Sequence, residues 1–79
     1  MKVVVLSFNS IHDALETQHL LEETSLFSNT IPTPTTISSE CGISLMIKQV
    51  DFHHIEDLQV QLHFSAHSGQ FLSGKLHLD

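Results

Sequence analysis

The one cysteine of this chain, Cys41, is the residue whose chemistry is simplest to name. A thiolate is a nucleophile and can carry a transferred group, but an ordinary thiol with a pKa of about 8.5 is only slightly ionised at neutral pH. Cys41 lies in the stretch PTPTTISSECGISL, where Glu40 is adjacent and no cation is close. Any activation must therefore come from backbone dipoles or from residues distant in sequence.

One interpretation places Cys41 in the core. Side chains alternate between the faces of an extended strand, so residue 41 shares a face with residues 43, 45 and 47. Those residues are Ile43, Leu45 and Ile47. A cysteine in register with them is expected to behave as a small buried hydrophobe.

A second interpretation makes Cys41 a reactive thiol that opens onto solvent. Ser38, Ser39 and Gly42 are typical of a turn, and successive N–H groups in such a turn could form an anion-binding nest. If the following strand starts beside the end of the first strand, His12 could approach and form a Cys–His pair. The sequence leaves both interpretations open.

The first half of the chain predicts strand, helix and edge strand. Residues 2–8, KVVVLSF, are typical of a strand buried on both faces. Ser10 and Asp13 fit the capping box of a helix. That helix is expected to bury a stripe at helical spacing, composed of Ile11, Ala14, Leu15 and Leu21. Because Pro32 and Pro34 cannot donate to a strand ladder, their strand is expected at a sheet edge.

The second half predicts a central strand, a helix and a second edge strand. The continuous apolar run CGISLMIKQV favours a central position. Asp51 is expected to cap a helix that ends near His67, with Gly69 as the stop signal. The apolar stripe of this helix consists of Phe52, Ile55, Leu58 and Leu62. The final segment, QFLSGKLHLD, is expected to place Leu76 and Leu78 on one face of an edge strand.

This order predicts one α+β domain over residues 1–79. We expect a ferredoxin-like βαββαβ two-layer sandwich, with an antiparallel sheet that carries both helices on one face. The other face then needs solvent, a ligand or a partner.

The charge balance of the chain excludes one class of function. Nine acidic residues, three lysines and no arginine give a net charge of −6, which lacks the basic footprint of a nucleic-acid binder. We also expect no membrane segment, no secretion signal and a cytoplasmic location, where a lone thiol stays reduced.

His63 and His67 are spaced as a metal-binding pair on a helix, but two ligands do not make a site. No metal or cofactor is therefore expected.

The stretch IPTPTTISSECGISLMI resembles the signature of the Se/S carrier protein-like family, approximately I-P-T-P-R-x-I-S-S-S-C-G followed by a hydrophobic residue. The N-terminal VVLSFNSIHDAL is also similar to that family. Thr35 stands where the family commonly has arginine, and Glu40 where it has a third small residue. The matching positions of the motif are Pro32, Thr33, Pro34, Ile37, Ser38, Ser39, Cys41 and Gly42.

The resemblance implies a bacterial cytoplasmic protein that carries sulfur or selenium on Cys41 as a persulfide or perselenide. It implies donor and acceptor proteins as partners, such as a cysteine desulfurase or a TusA/SirA-like carrier, and a carrier rather than a true enzyme. The alternative is a non-catalytic interaction or regulatory module that forms a homodimer, or docks a partner, through its open sheet face.

Overall fold

The computed structural model describes all of residues 1–79. Its five strands form one antiparallel sheet in the order β2-β3-β1-β4-β5. The strands are β1 (Lys2–Phe8), β2 (Ser28–Pro32), β3 (Ile43–Lys48), β4 (Phe64–Leu72) and β5 (Lys75–Leu78). The helices are α1 (Ile11–Glu23), α2 (Gln49–Phe52) and α3 (Gln59–Leu62), with a 3₁₀ turn at Glu56–Leu58. The longest helix, α1, has 13 residues, so no helix here could span a lipid bilayer.

Helix α1 begins at the predicted cap. The backbone N–H of Asp13 donates to Ser10 Oγ over 3.2 Å, and Ser10 Oγ donates to the Asp13 carboxylate over 3.0 Å. These bonds satisfy one of the unpaired N–H groups of the first turn and fix the angle at which the chain leaves β1.

The buried stripe of α1 differs from the predicted one. Ala14, Thr17 and Leu21 face the sheet, whereas Ile11 and Leu15 are each 53% exposed. Thr17 can replace an aliphatic residue in this stripe because its hydroxyl donates to a backbone carbonyl one turn earlier, over 3.0 Å. The expectation for Ile11 and Leu15 is therefore wrong.

The predicted helix from Asp51 to His67 is also wrong. The chain forms only short helical segments up to residue 62, and His63 then adopts a left-handed φ of 57° that ends α3. His67 lies within β4 instead. The predicted stripe nevertheless packs against the core, since Phe52, Ile55, Leu58 and Leu62 all contact it.

The sheet has one strand more than predicted. An antiparallel α/β architecture is confirmed, but β4 is internal and β5 takes the edge, so the four-stranded ferredoxin-like arrangement is not confirmed. Ser73 and Gly74, both at positive φ, turn the chain from β4 into β5. Gly69 is not a helix stop but a strand residue, and a Cβ there would lie 2.7 Å from the carbonyl oxygen of His77.

The two faces of the sheet have separate apolar clusters. On the helix face, Phe8 and Leu45 pack with α1 and the short helices. We call the other side the open face, and its apolar residues are Val3, Val5, Ile31, Met46, Phe71, Leu76 and Leu78. Ile37, from the loop of residues 33–42, also packs against this cluster. We refer to residues 33–42 as the connecting loop.

Candidate functional site

Cys41 lies near the end of the connecting loop, two residues before β3. It is only 5% exposed, and it belongs to the core cluster on the helix face, together with Leu45 and Ile47. Core burial, the first interpretation of the sequence, is confirmed, and the expected opening of the thiol onto solvent is wrong for this conformation. The reason is strand parity, which turns residues 41, 45 and 47 towards the helices.

Thr33 fixes the two ends of the connecting loop to each other. Its backbone N–H donates to the carbonyl of Gly42 over 3.0 Å, and its Oγ1 donates to the carbonyl of Cys41 over 2.9 Å. The same hydroxyl shares a 2.8 Å hydrogen bond with Ser44 Oγ. The backbone at Cys41 is therefore held against the end of β2, while the thiol itself points into the core.

Ser39 connects the same segment to β1. Its hydroxyl donates to the carbonyl of Phe8 and accepts from the N–H of Cys41 over 3.3 Å. The start of β3 thus lies beside the end of β1, which was the condition for an approach of His12 to Cys41. Asn9 and Ser38, together with Ser39 and Glu40, line a shallow polar depression of about 410 Å³ at this place. Both hydrogen bonds of Cys41 use its backbone, so no donor is directed at the thiol.

The remaining candidate residues of the motif lie at the surface. Pro32 and Gly42 are exposed, and Pro34 is half-buried. A Cβ placed on Gly42 would meet nothing within 4 Å, so the backbone beside Cys41 faces open space. Pro32 and Pro34 line a wider groove of about 710 Å³, whose other wall includes Phe71 and Leu76. The motif therefore borders two surfaces, the polar depression near Cys41 and this groove on the open face.

His12 is turned away from the core. Its side chain is 81% exposed, its Nδ1 lies 3.9 Å from a Glu16 carboxylate oxygen, and no hydrogen bond joins it to Cys41. With Asp13, these side chains bring three metal-ligating atoms within 4.8 Å of one another. However, Ser10 already donates to Asp13, and the positive end of a helix dipole disfavours a cation. We assign no metal to this cluster.

His63 and His67, whose spacing would suit a metal-binding pair on a helix, do not share a helix face, because His67 belongs to β4. There its Nε2 shares a 2.9 Å hydrogen bond with the hydroxyl of Ser7, a buried residue of β1. Sequence reasoning missed this pair because it depends on the register that aligns β1 with β4. The bond satisfies a buried hydroxyl and stabilises the pairing of two central strands.

A comparison with known families identifies a match that includes the connecting loop. A family model described as "Putative Se/S carrier protein-like" matches residues 3–63, a range that includes β1 except for its first residue, α1, β2, the connecting loop and β3. No curated protein and no solved structure matches the chain. The family match extends over most of the 79 residues and includes Cys41. The chain therefore belongs to the Se/S carrier protein-like family.

Proposed function

We propose that this protein carries sulfur or selenium on Cys41 as a persulfide or perselenide. The observation that supports the proposal is the family match over residues 3–63, which contains the only cysteine of the chain. The carrier works by group transfer between proteins and needs no substrate pocket. Its partners are a donor such as a cysteine desulfurase and an acceptor such as a TusA/SirA-like carrier, in the reducing environment of the cytoplasm.

Loading is an exchange in which atoms and electrons balance. The Cys41 thiolate attacks the terminal sulfur of a persulfide on the donor, and the donor's sulfur–sulfur bond breaks. A new sulfur–sulfur bond forms on Cys41, while the donor leaves as a thiolate and takes up the proton that Cys41 lost. Unloading repeats the step with the acceptor as nucleophile. For selenium, the transferred atom is the terminal selenium of a perselenide, and no further oxidant or reductant is required.

The residues around Cys41 suggest how a terminal chalcogen anion is bound. Ser38, which is exposed, supplies a hydroxyl donor, whereas Ser39 can do so only after its bond to the carbonyl of Phe8 breaks. Gly42 leaves the backbone accessible to an approaching donor protein. Pro32 and Pro34 restrict the backbone where the chain leaves β2 and enters the connecting loop. The predicted pair of Cys41 and His12 requires the connecting loop to move, because the thiol is buried and the imidazole is exposed.

The proposal is tested by loading the purified protein. We expect incubation with a cysteine desulfurase and cysteine to add the mass of one sulfur atom to Cys41, in a form that a thiol reductant removes. Selenocysteine with a selenocysteine lyase should add one selenium atom. Intact-mass and peptide spectrometry without reductant measure both. The absence of any adduct, while a sulfur-acceptor protein in the same reaction is loaded, would contradict the carrier function.

The alternative function, an interaction module, is supported by the groove of about 710 Å³ on the open face. Its lining includes the apolar side chains of Ile31, Met46 and Phe71. For this function we expect the wild-type protein and the Cys41→Ser variant to self-associate equally at high concentration. Sedimentation equilibrium measures that association. Monomers at every concentration, for both proteins, would exclude the homodimer.

A further inference from the structure

The connecting loop is anchored on both faces of the sheet. Ile37 is 9% exposed and packs on the open face with Val5 and Met46, whereas Cys41 is 5% exposed and packs on the helix face. Between them, Ser38 and Glu40 are exposed. The loop therefore passes around the end of the sheet, and two buried side chains only four residues apart hold it on opposite sides.

We propose that the connecting loop is a gate over Cys41 and that Ile37 is its latch. The proposal rests on the carrier function, because a group-transfer thiol must be reached by a partner, and this thiol is enclosed. When Ile37 leaves the open face, and the bonds from Ser39 to the Phe8 carbonyl and from Thr33 to the Cys41 carbonyl break, residues 34–41 can swing out about Gly42 and expose Cys41. Strand β3 and its ladder with β1 stay in place.

The hydrogen bonds of the loop favour such a local opening. Two hydrogen bonds hold residues 34–41 to the rest of the chain: Ser39 donates to the carbonyl of Phe8, and Thr33 donates through its side chain to the carbonyl of Cys41. The bond from Ile37 N–H to the carbonyl of Pro34 lies within the loop and can move with it. At the far end, Gly42 has no Cβ and faces open space, which suits a pivot. Segments with few bonds to their surroundings open at a lower free energy than the whole fold.

The contact made by Ile37 therefore sets how often the thiol is exposed. We expect iodoacetamide to alkylate Cys41 of the Ile37→Ala variant at least about tenfold faster than Cys41 of the wild type. Truncation of a buried isoleucine destabilises the closed loop, and the usual cost is large enough to raise the population of the open loop by at least this factor. Ile37→Val should show a smaller acceleration, and it serves if the alanine variant folds poorly. For the wild type and both variants, low urea should change the rate only slightly, because opening the loop exposes little surface.

Val3→Ala is the matched control. Val3 belongs to the same open-face cluster but lies in β1, outside the loop. Its truncation should lower the free energy of unfolding and leave the alkylation rate close to that of the wild type. The gate is refuted if Val3→Ala and Ile37→Ala accelerate alkylation equally and the rate rises with urea as steeply as global unfolding. A wild-type thiol that reacts as fast as free cysteine would also refute it.

Alkylation needs no sulfur donor, so the gate and the carrier function are tested separately. Faster alkylation of Ile37→Ala without any loading from a desulfurase would support the gate and contradict the carrier. Loading of the wild type, with Ile37→Ala and Val3→Ala alkylated alike, would contradict the gate and support the carrier.

Discussion

Replacing Cys41 by serine is expected to abolish loading with sulfur or selenium completely. The hydroxyl of serine is not ionised at neutral pH and cannot form a persulfide, and the chain has no second cysteine to take over. The variant should remain folded, but a serine hydroxyl among the core residues would lack a partner and cost about 1–3 kcal/mol. Cys41→Ala avoids this cost of the hydroxyl and should be equally inactive. Intact-mass spectrometry after incubation with a desulfurase measures the loss.

The control for Cys41→Ser is a change in the same loop that leaves the thiol intact. Thr36 is exposed and makes no side-chain hydrogen bond, so Thr36→Ala should load like the wild type. Uptake of the same mass by Cys41→Ala would mean that another group accepts the chalcogen. The assignment of Cys41 as the carrier residue would then be wrong.

Truncating Phe8 to alanine is expected to have the largest effect on stability. Phe8 is 2% exposed, and its ring meets that of Phe64 edge-to-face at a centroid distance of 6.5 Å. Phe64 in turn meets Phe52 at 6.3 Å. Loss of a buried phenylalanine costs about 3–5 kcal/mol. Because proteins of modest size are stable by only about 5–15 kcal/mol in total, much of this variant should be unfolded under mild conditions. Urea titration followed by circular dichroism measures the change.

Phe27 provides the comparison for Phe8. It is 61% exposed, so Phe27→Ala should change the free energy of unfolding by about 0.5 kcal/mol or less. If the two alanine variants proved equally stable, the aromatic cluster of Phe8, Phe52 and Phe64 would not be an anchor of this core.

The order and type of the elements in the first 48 residues could be predicted from sequence because each element there has a distinct local signal. The valine run defines β1, the Ser10 cap starts α1, and Pro32 confines β2 to the sheet edge, as the structure confirms. The parity of Cys41 with Leu45 indicated burial, one of the two interpretations that the sequence left open, and the structure confirms that one. These features depend on neighbours in the chain, which is why local patterns suffice.

The region from residue 49 to residue 72 could not be predicted because its signals are ambiguous. The spacing of four apolar residues is that of one helix: Phe52, Ile55, Leu58 and Leu62. The same spacing is also compatible with three short helical turns that each place a side chain against the core. Strand β4 contains serine, alanine, histidine and glycine and has exposed residues on both faces, so it lacks the alternation of a typical strand. The Ser73–Gly74 dipeptide was the available sign of a hairpin.

The hydrogen bonds that hold the connecting loop at the candidate site could not be predicted from the sequence, for a different reason. The bonds from Thr33 to Cys41 and from Ser39 to Phe8 join residues that lie 8 and 31 positions apart. They arise only after β1, β2 and β3 have aligned. The sequence identified Thr33 and Ser39 as members of one motif. It did not show which contacts each of them makes.

Enclosure of the Cys41 side chain also bears on the lifetime of a cargo. Free persulfides are lost when small thiols or oxidants attack them, and access governs the rate of such exchange. A chalcogen stored on a thiol that is 5% exposed would be shielded from glutathione while the protein diffuses between its partners. Under the proposed carrier function, the same enclosure that slows loss of the cargo would also slow its transfer to a partner.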